Sequence, residues 1–214
     1  MALTDPMDIY CERIGPEFWS EPINAVTNAA FFLAAGAAFL LWQRNTPRDW
    51  PVLFLIGVVM AIGTGSFLFH TVATRWAVYT DTIPITVFIH VYMLLALRRL
   101  LQLHWVICFA VVIGFFMLAP VAGQVWAPYF GGSAAYIPAA LAIFVIGGFV
   151  FQSDRRLGAQ LFIIGILFIV SLTFRTLDEP LCSQWALGTH FLWHILNGVV
   201  LFGLLRVLIW HRAG

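Results

Sequence analysis

The stretch WPVLFLIGVVMAIGTGSFLFHTV, residues 50–72, decides the fold class of this chain because it contains no Asp, Glu, Lys or Arg. At a rise of about 1.5 Å per residue, a helix of this length covers about 34 Å, slightly more than the roughly 30 Å hydrocarbon core of a bilayer. A helix also satisfies its own backbone hydrogen bonds, which hydrocarbon cannot do. The stretch therefore predicts a transmembrane helix.

The rest of the chain repeats this pattern. Hydrophobic residues make up 62% of the 214 residues and charged residues only 10%, which excludes an ordinary soluble domain. Seven runs are long and apolar enough to span a bilayer: 22–43, 50–72, 77–97, 103–123, 133–151, 156–177 and 184–210. The first run follows a polar segment, so no cleavable signal peptide is evident.

These runs predict an all-α integral membrane protein built as a seven-transmembrane helix bundle. We expect an acidic external arm at residues 1–21, a transmembrane domain at 22–210 and a short cytoplasmic tail at 211–214. No linker or repeat interrupts the chain, so the transmembrane part is expected to be one domain.

The positive charges predict the orientation of the bundle. All of them are arginines, and in the seven-span arrangement they divide into a larger set (Arg44, Arg48, Arg98, Arg99, Arg155, Arg156, Arg206 and Arg212) and a smaller one on the opposite side (Arg13, Arg75 and Arg175). The positive-inside rule then predicts an external N-terminus and a cytoplasmic C-terminus. The absence of lysine excludes a retinal Schiff base, and a net charge of +1 gives no reason to expect nucleic acid.

Four ionisable side chains lie within or beside the apolar runs: His70, Asp81, His190 and His194. Such groups are costly in hydrocarbon and usually mark a functional site. The two C-terminal histidines are four residues apart, which is the spacing by which one helix supplies two zinc ligands. With His70 they make three ligands, and three protein ligands leave a position open for catalysis. The set predicts a Zn²⁺ centre with Asp81 beside it.

The predicted topology brings these residues to one depth. Ser66 and His70 share a face near the external end of the second helix, and a short loop returns the chain to Asp81. If the seventh helix starts at residue 184, His190 and His194 lie roughly 9 and 15 Å below the external surface. We therefore expect one site just beneath that surface.

Other interpretations of these residues remain open. His90 is expected to be a packing residue, and His104 and His211 are expected to lie at the cytoplasmic boundary. Ser66, together with small residues before it, fits close helix packing. Asp81 fits a cap at the start of the third helix, a role compatible with catalysis.

Six motifs carry a resemblance to a known family: YCE at 10–12, EPINAVTN at 21–28, GTGSFLFHT at 63–71, DTIP at 81–84, RTLDEPLC at 175–182 and GTHFLWHILN at 188–197. They resemble the alkaline ceramidase family, part of a superfamily of seven-helix zinc hydrolases that includes adiponectin-type receptors. The resemblance implies hydrolysis of the ceramide amide to a sphingoid base and a fatty acid. It assigns zinc binding to His70, His190 and His194, and catalysis to Asp81 and Ser66.

The chemistry of these residues agrees with that assignment. Zinc makes water nucleophilic near neutral pH, Asp81 can transfer its proton to the leaving amine, and Ser66 can donate to the oxyanion. Two alternatives stay open. One is a hydrolase of the same architecture that acts on another lipid amide or ester. The other is a non-enzymatic seven-helix lipid receptor, although the short inner loops leave it little surface for a signalling partner.

Three cysteines complete the external face. Cys11 and Cys182 lie outside in this topology, where thiols meet oxidising conditions, and the resemblance favours a disulfide between them. The alternative is two unpaired loop cysteines. Cys108, within the fourth helix, is expected to be a free, buried thiol.

The resemblance also implies a calcium site in the acidic arm. Glu12 and Glu21 match the family's ligands best, with Asp8 as a third, and carboxylate oxygens suit this hard cation. The fit is imperfect because Arg13 and Ile14 supply no side-chain oxygen. The simpler interpretation is a solvated acidic arm.

Composition also bears on location and partners. The lack of lysine and the abundance of Ala, Gly and Arg hint at a GC-rich genome. We therefore expect a multi-pass protein of a bacterial inner membrane, with its active site facing the periplasm. The predicted partner is a ceramide-like membrane lipid, and no obligate protein partner is evident.

Overall fold

The computed structural model describes residues 2–213, which form helices and connecting loops with no β-strand beyond a single bridge between Pro6 and Thr74. The α-helices are α1 (Pro22–Thr27), α2 (Ala29–Asn45), α3 (Trp50–Val72), α4 (Arg75–Arg99), α5 (Trp105–Phe130), α6 (Ile137–Ser153), α7 (Arg155–Leu181) and α8 (His190–Ala213), and a 3-10 helix, Gly131–Tyr136, joins α5 to α6. The all-helical class is therefore as predicted.

Within the described residues, six helical segments are long and apolar enough to cross a membrane. The sequence predicted seven. The difference lies in the 49-residue segment Trp105–Ser153, which contains the predicted runs 103–123 and 133–151. No polar loop separates α5 from α6, because the 3-10 helix continues the helical hydrogen bonding and only Gly131, with φ of 52°, interrupts it.

Helix α5 lies on the outside of the bundle. Of its side chains, only Cys108 is a fully buried non-glycine residue, and that thiol is free, as predicted. Its remaining surface carries exposed Phe, Leu, Ile, Val and Met side chains. A continuous apolar surface of this kind suits contact with lipid chains and is rare on soluble proteins.

The connection between α3 and α4 is tight. It turns through Ala73, whose φ is 46°, and α4 begins at Arg75. Asp81 therefore lies inside α4 and does not cap it, so the capping interpretation was wrong. The two helices touch at Gly65, where any Cβ would collide with the backbone carbonyl of Thr80. This close approach brings the outer half of α3 against the first turns of α4.

The N-terminal arm packs over this same end of the bundle. The amide of Met7 donates to the carbonyl of Ala73 at 2.8 Å, and the amide of Trp76 donates to the carbonyl of Leu3 at 3.0 Å. The disulfide between Cys11 and Cys182 joins the arm to the end of α7, as predicted, with its Cα atoms 5.2 Å apart. The arm is thus attached to the turn between α3 and α4 on one side and to the end of α7 on the other.

Helix α8 begins later than the predicted run 184–210. Its first residue is His190, preceded by Gly188 with φ of 66°. The start is set by Asp178 on α7, whose Oδ1 accepts hydrogen bonds from the amides of Thr189 at 2.7 Å and His190 at 2.9 Å. Asp178 is therefore the N-terminal cap of α8, supplied from another helix. His190 lies in the first turn and not two turns down.

At its other end, α8 continues to Ala213. Most of the predicted tail 211–214 is therefore the last turn of this helix, and residue 214 lies outside the described residues.

The other three histidines contact backbone groups. His104 caps α5, where its Nδ1 accepts from the amide of Val106 at 3.3 Å. Nδ1 of His90 lies 2.7 Å from a carbonyl of its own helix, and Nε2 of His211 lies 3.2 Å from the carbonyl of Arg99. None of the three belongs to the group formed by His70, His190 and His194, and their packing and boundary roles stay predictions.

The contacts of Asp178 lead to a stability prediction. Its carboxylate also accepts from the amide of Cys11 at 3.0 Å, so Asp178→Ala leaves three amides without partners. Hydrogen bonds to charged groups contribute about 1.5–3 kcal/mol each, and we expect a loss of at least about 3 kcal/mol. The matched control is Asp154→Ala, which removes the ordinary cap at the start of α7 and should cost about 1 kcal/mol. Unfolding of the full chain in detergent, followed by tryptophan fluorescence, compares them. Equal losses would contradict the role given to Asp178.

Candidate metal centre

Three histidine rings from two helices meet beneath the arm. One ring nitrogen from each of His70, His190 and His194 lies within 4.8 Å of the others, and all three residues are buried. Their ring centroids are 4.6–5.1 Å apart. Within residues 2–213, this is the one group of three or more His, Cys, Asp or Glu side chains that is close enough to hold a metal ion. The structure therefore brings together the histidines that the sequence predicted.

Glu21, the residue before α1, orients His70. Its Oε2 lies 2.6 Å from Nδ1 of His70, and Nε2 of the same ring is buried without a partner. Metal-binding histidines commonly bond a carboxylate through the nitrogen that does not face the metal. His70 therefore presents Nε2 in the manner of a ligand.

His194 has the same arrangement with a hydroxyl group. The side chain of Thr27 lies 3.0 Å from Nδ1 of His194, and Nε2 is buried without a partner. His190 stacks against the ring of Tyr10 at 3.6 Å between centroids, and its Nδ1 is also unpartnered.

This pattern tests whether the residues fit a metal. Buried polar atoms are nearly always hydrogen bonded, yet each of the three clustered rings has a buried nitrogen without a partner. Neutral imidazoles are standard zinc ligands, and three of them leave a coordination position open. The donor set therefore fits the predicted Zn²⁺, although the structure does not identify the metal.

The two predicted catalytic residues lie beside this cluster. Ser66 lies one turn before His70 on α3, and Asp81 on α4 is close enough to Ser66, His70 and Arg175 to interact with them electrostatically. Ser66 is buried and Asp81 is half-buried. The close contact of α3 and α4 at Gly65 places this pair next to the histidines.

Arg175 closes another side of the site. Its guanidinium donates to Ser133 Oγ at 3.2 Å and to the Tyr10 hydroxyl at 3.3 Å, and it lies over the rings of Tyr136 and Trp193. Arg175 does not pair with Asp178, whose carboxylate accepts from the backbone amides described above.

An apolar cavity opens below these rings. It is lined by side chains of α3, α4, the 3-10 helix, α6, α7 and α8, among them Ile62, Phe88, Tyr92, Tyr136 and Trp193. Asn197 also lines this cavity. The cavity therefore lies in the apolar interior of the bundle and shares Tyr136 and Trp193 with the surroundings of Arg175.

The carboxylates of the arm are not grouped as the calcium prediction requires. Asp8 is exposed, and Glu12 accepts from the amides of Ile23 and Asn24 at 2.7 Å each. Burial raises the pKa of Glu12, while these two amides act in the opposite direction. Within residues 2–213, Asp8, Glu12 and Glu21 do not lie close enough together to hold a metal ion. Calcium binding thus stays a prediction without support from the structure.

Comparison with protein families decides where this chain belongs. Residues 10–214 match the family model described as Ceramidase. The chain belongs to the alkaline ceramidase family. Membership in the ceramidases implies a hydrolase that acts on the amide bond of a lipid, ceramide. A search of curated proteins found no match.

Several residues of this ceramidase-family site were missed by sequence reasoning. Glu21 was expected to bind calcium, but it bonds His70; the rule that zinc histidines have carboxylate partners was the signal available. Tyr10 and Thr27 occur in the family motifs, but nothing in their spacing reveals that they contact His190 and His194. Those contacts join parts of the chain that are far apart.

Removal of one clustered histidine gives the first test of the centre. We expect His194→Ala to lower bound zinc below about a tenth of the wild-type content, because two imidazoles bind zinc much more weakly than three. His90→Ala is the matched control, since His90 lies outside the cluster. Metal analysis of the two proteins purified in detergent makes the comparison. Full zinc content in the first variant would rule the histidine site out.

The hydroxyl beside His194 gives a second test. Thr27→Val removes the partner of Nδ1, and loss of such a partner lowers metal affinity about 10- to 100-fold. Thr64→Val is the control, because that exposed hydroxyl bonds only a carbonyl of its own helix. Competition with a zinc chelator measures both affinities. The role of Thr27 would be refuted by equal affinities.

Proposed function

We propose that this chain is a zinc-dependent amidohydrolase that cleaves ceramide to a sphingoid base and a fatty acid. The single observation that carries the proposal is the set of three buried imidazoles, each with an unpartnered nitrogen, with Ser66 and Asp81 beside them. The family match and the apolar cavity below the site support it.

The chemistry divides between the metal and the side chains. Zinc, when bound by the histidines, supplies Lewis acidity that activates water for attack on an amide. Asp81 takes the proton that the attacking water loses and gives it to the amine as the C–N bond breaks. Its half-buried position, with one side toward Ser66, leaves it able to reach a substrate.

Ser66 acts on two groups in turn. In the resting protein its hydroxyl lies near Asp81, where it can donate to the carboxylate. A hydroxyl has one proton to donate, so a Ser66 that donates to Asp81 must release it to stabilise the oxyanion as the amide is attacked. Ser66 thus orients the base first and then stabilises the developing negative charge.

The surroundings of Arg175 suit the headgroup end of a lipid. Its guanidinium has donors beyond those used by Ser133 and Tyr10, and these can bond the hydroxyls or the carbonyl of ceramide. The rings of Tyr136 and Trp193 lie between Arg175 and the apolar cavity. A hydrocarbon chain in the cavity would therefore leave its amide at the level of the histidines.

We further propose seven spans with the site on the external side. Helix α5, at about 1.5 Å per residue, is long enough to cross a bilayer without α6, so the segment Trp105–Ser153 is two crossings. The arginine distribution then leaves the arm and the histidines outside. In a bacterium this is the periplasmic face of the inner membrane.

Two alternatives are less well supported. A hydrolase of the same architecture that acts on another lipid amide or ester would use the same metal chemistry. The apolar cavity can bind hydrocarbon chains, but it does not distinguish an amide from an ester. A lipid receptor without turnover needs no base, yet Asp81 and Ser66 lie beside the histidines. A purely structural zinc would also usually have four protein ligands.

The decisive experiment compares substrates with a variant that keeps the metal. We expect the purified, zinc-loaded protein to hydrolyse ceramide faster than matched lipid esters. Asp81→Asn should lower turnover about 10²- to 10⁴-fold, because the base is lost, while zinc content stays unchanged. Release of the sphingoid base is measured by mass spectrometry. A zinc-loaded protein that turns over no lipid amide would favour the receptor.

A further inference from the structure

The acidic arm contains one buried cation, Arg13. Only 7% of this residue is exposed, and its guanidinium makes three hydrogen bonds. Nε donates to Oε1 of Glu21 at 2.5 Å, Nη1 to the carbonyl of Gly15 at 2.9 Å, and Nη2 to the carbonyl of His70 at 2.9 Å. Every nitrogen of the side chain therefore has an oxygen partner.

These bonds hold one candidate metal ligand from two directions. Arg13 contacts the backbone of His70 directly, and it contacts the ring through Glu21, whose other oxygen lies 2.6 Å from Nδ1. The carbonyl of His70 belongs to the last turn of α3, where helix carbonyls lack partners and a positive charge is favourable. The position of Arg13 is thus set by α3 itself.

Glu21 needs this cation. Its carboxylate is almost fully buried, and a buried charge is costly unless it is paired. Arg13 Nε supplies that pairing at 2.5 Å from Oε1.

A second, free cation does not fit the same place. Calcium takes six to eight oxygen ligands, but both oxygens of Glu21 are occupied by Arg13 and His70, and both oxygens of Glu12 by backbone amides. Asp8 lies exposed and apart from them. The positive guanidinium would also repel a divalent ion. The residues of this arm therefore do not fit the calcium site that the family implies.

We propose that Arg13 serves as the built-in cation of this arm: it positions His70 through Glu21, so that metal binding by this chain requires no calcium. Arg13 is a positioning residue, because it acts on the metal ligand and not on the substrate. The proposal uses the histidine centre of the proposed function, but it does not depend on which lipid is hydrolysed.

The first measurement uses the wild-type chain in detergent with calcium alone as the probe. Calorimetric titration with CaCl₂ in zinc-saturated, calcium-free buffer should give no binding at stoichiometric level, and unfolding temperature and zinc affinity should be the same with and without calcium. Stoichiometric calcium binding that raises either quantity would overturn the proposal.

The second measurement compares substitutions at Arg13. Arg13→Met removes the charge and should lower zinc affinity about 10- to 100-fold, as loss of a ligand's hydrogen-bond partner does. Arg13→Lys keeps the charge and should recover part of that affinity, and it remains informative if the Met variant does not fold. Arg48→Met, at an exposed arginine, is the matched control.

The outcomes separate positioning from a general structural role. A structural role would lower the unfolding temperature of the zinc-free protein and leave the zinc affinity of folded molecules unchanged, and that result would overturn the proposal. Lower zinc affinity with partial recovery in the Lys variant supports it. Ceramide hydrolysis is measured separately, so a wild-type protein without turnover would contradict the proposed function while the zinc and calcium titrations still decide the role of Arg13.

Discussion

The contact between Glu21 and Nδ1 of His70 is the interaction on which the site depends. A buried imidazole can offer a lone pair from Nε2 only if its other nitrogen keeps the proton, and a hydrogen-bond acceptor at Nδ1 enforces this. Glu21 is such an acceptor at 2.6 Å, and Arg13 makes its buried negative charge tolerable. The arm, which looks like a peripheral segment, therefore decides how a histidine in the bundle is presented.

The arm performs this role only because it is held at both edges of the site. On one edge its backbone bonds the turn at Ala73, and on the other the disulfide and Asp178 join it to the end of α7. The same Asp178 carboxylate caps the first turn of α8, which carries His190. One carboxylate thus couples the position of the arm to that of the histidine-bearing helix. These contacts explain how the arm can be stable although several of its polar side chains are buried.

Much of the site was predictable because its residues lie where hydrocarbon penalises them. His70, His190 and His194 were recognisable from helical spacing and depth, and Ser66 and Asp81 from their positions in the adjoining hairpin. The start of α8 was predicted too early, since the loop before it is apolar and its end is marked only by Gly188 and a cap from another helix. The seven runs were likewise apparent, but α5 and α6 are joined by a helical turn with no polar break.

The sequence by itself determined the membrane class, the family and the identities of the clustered histidines, because composition, length and residue spacing are local properties of the chain. Only the tertiary structure decided the partners of those histidines. Tyr10 contacts His190 and Thr27 contacts His194, each more than 160 positions away. No periodic pattern in the sequence predicts contacts between residues so far apart. The tertiary structure also placed Arg13 against the oxygens of Glu21, because whether a carboxylate faces a metal ion or a guanidinium depends on which groups folding brings within hydrogen-bond distance.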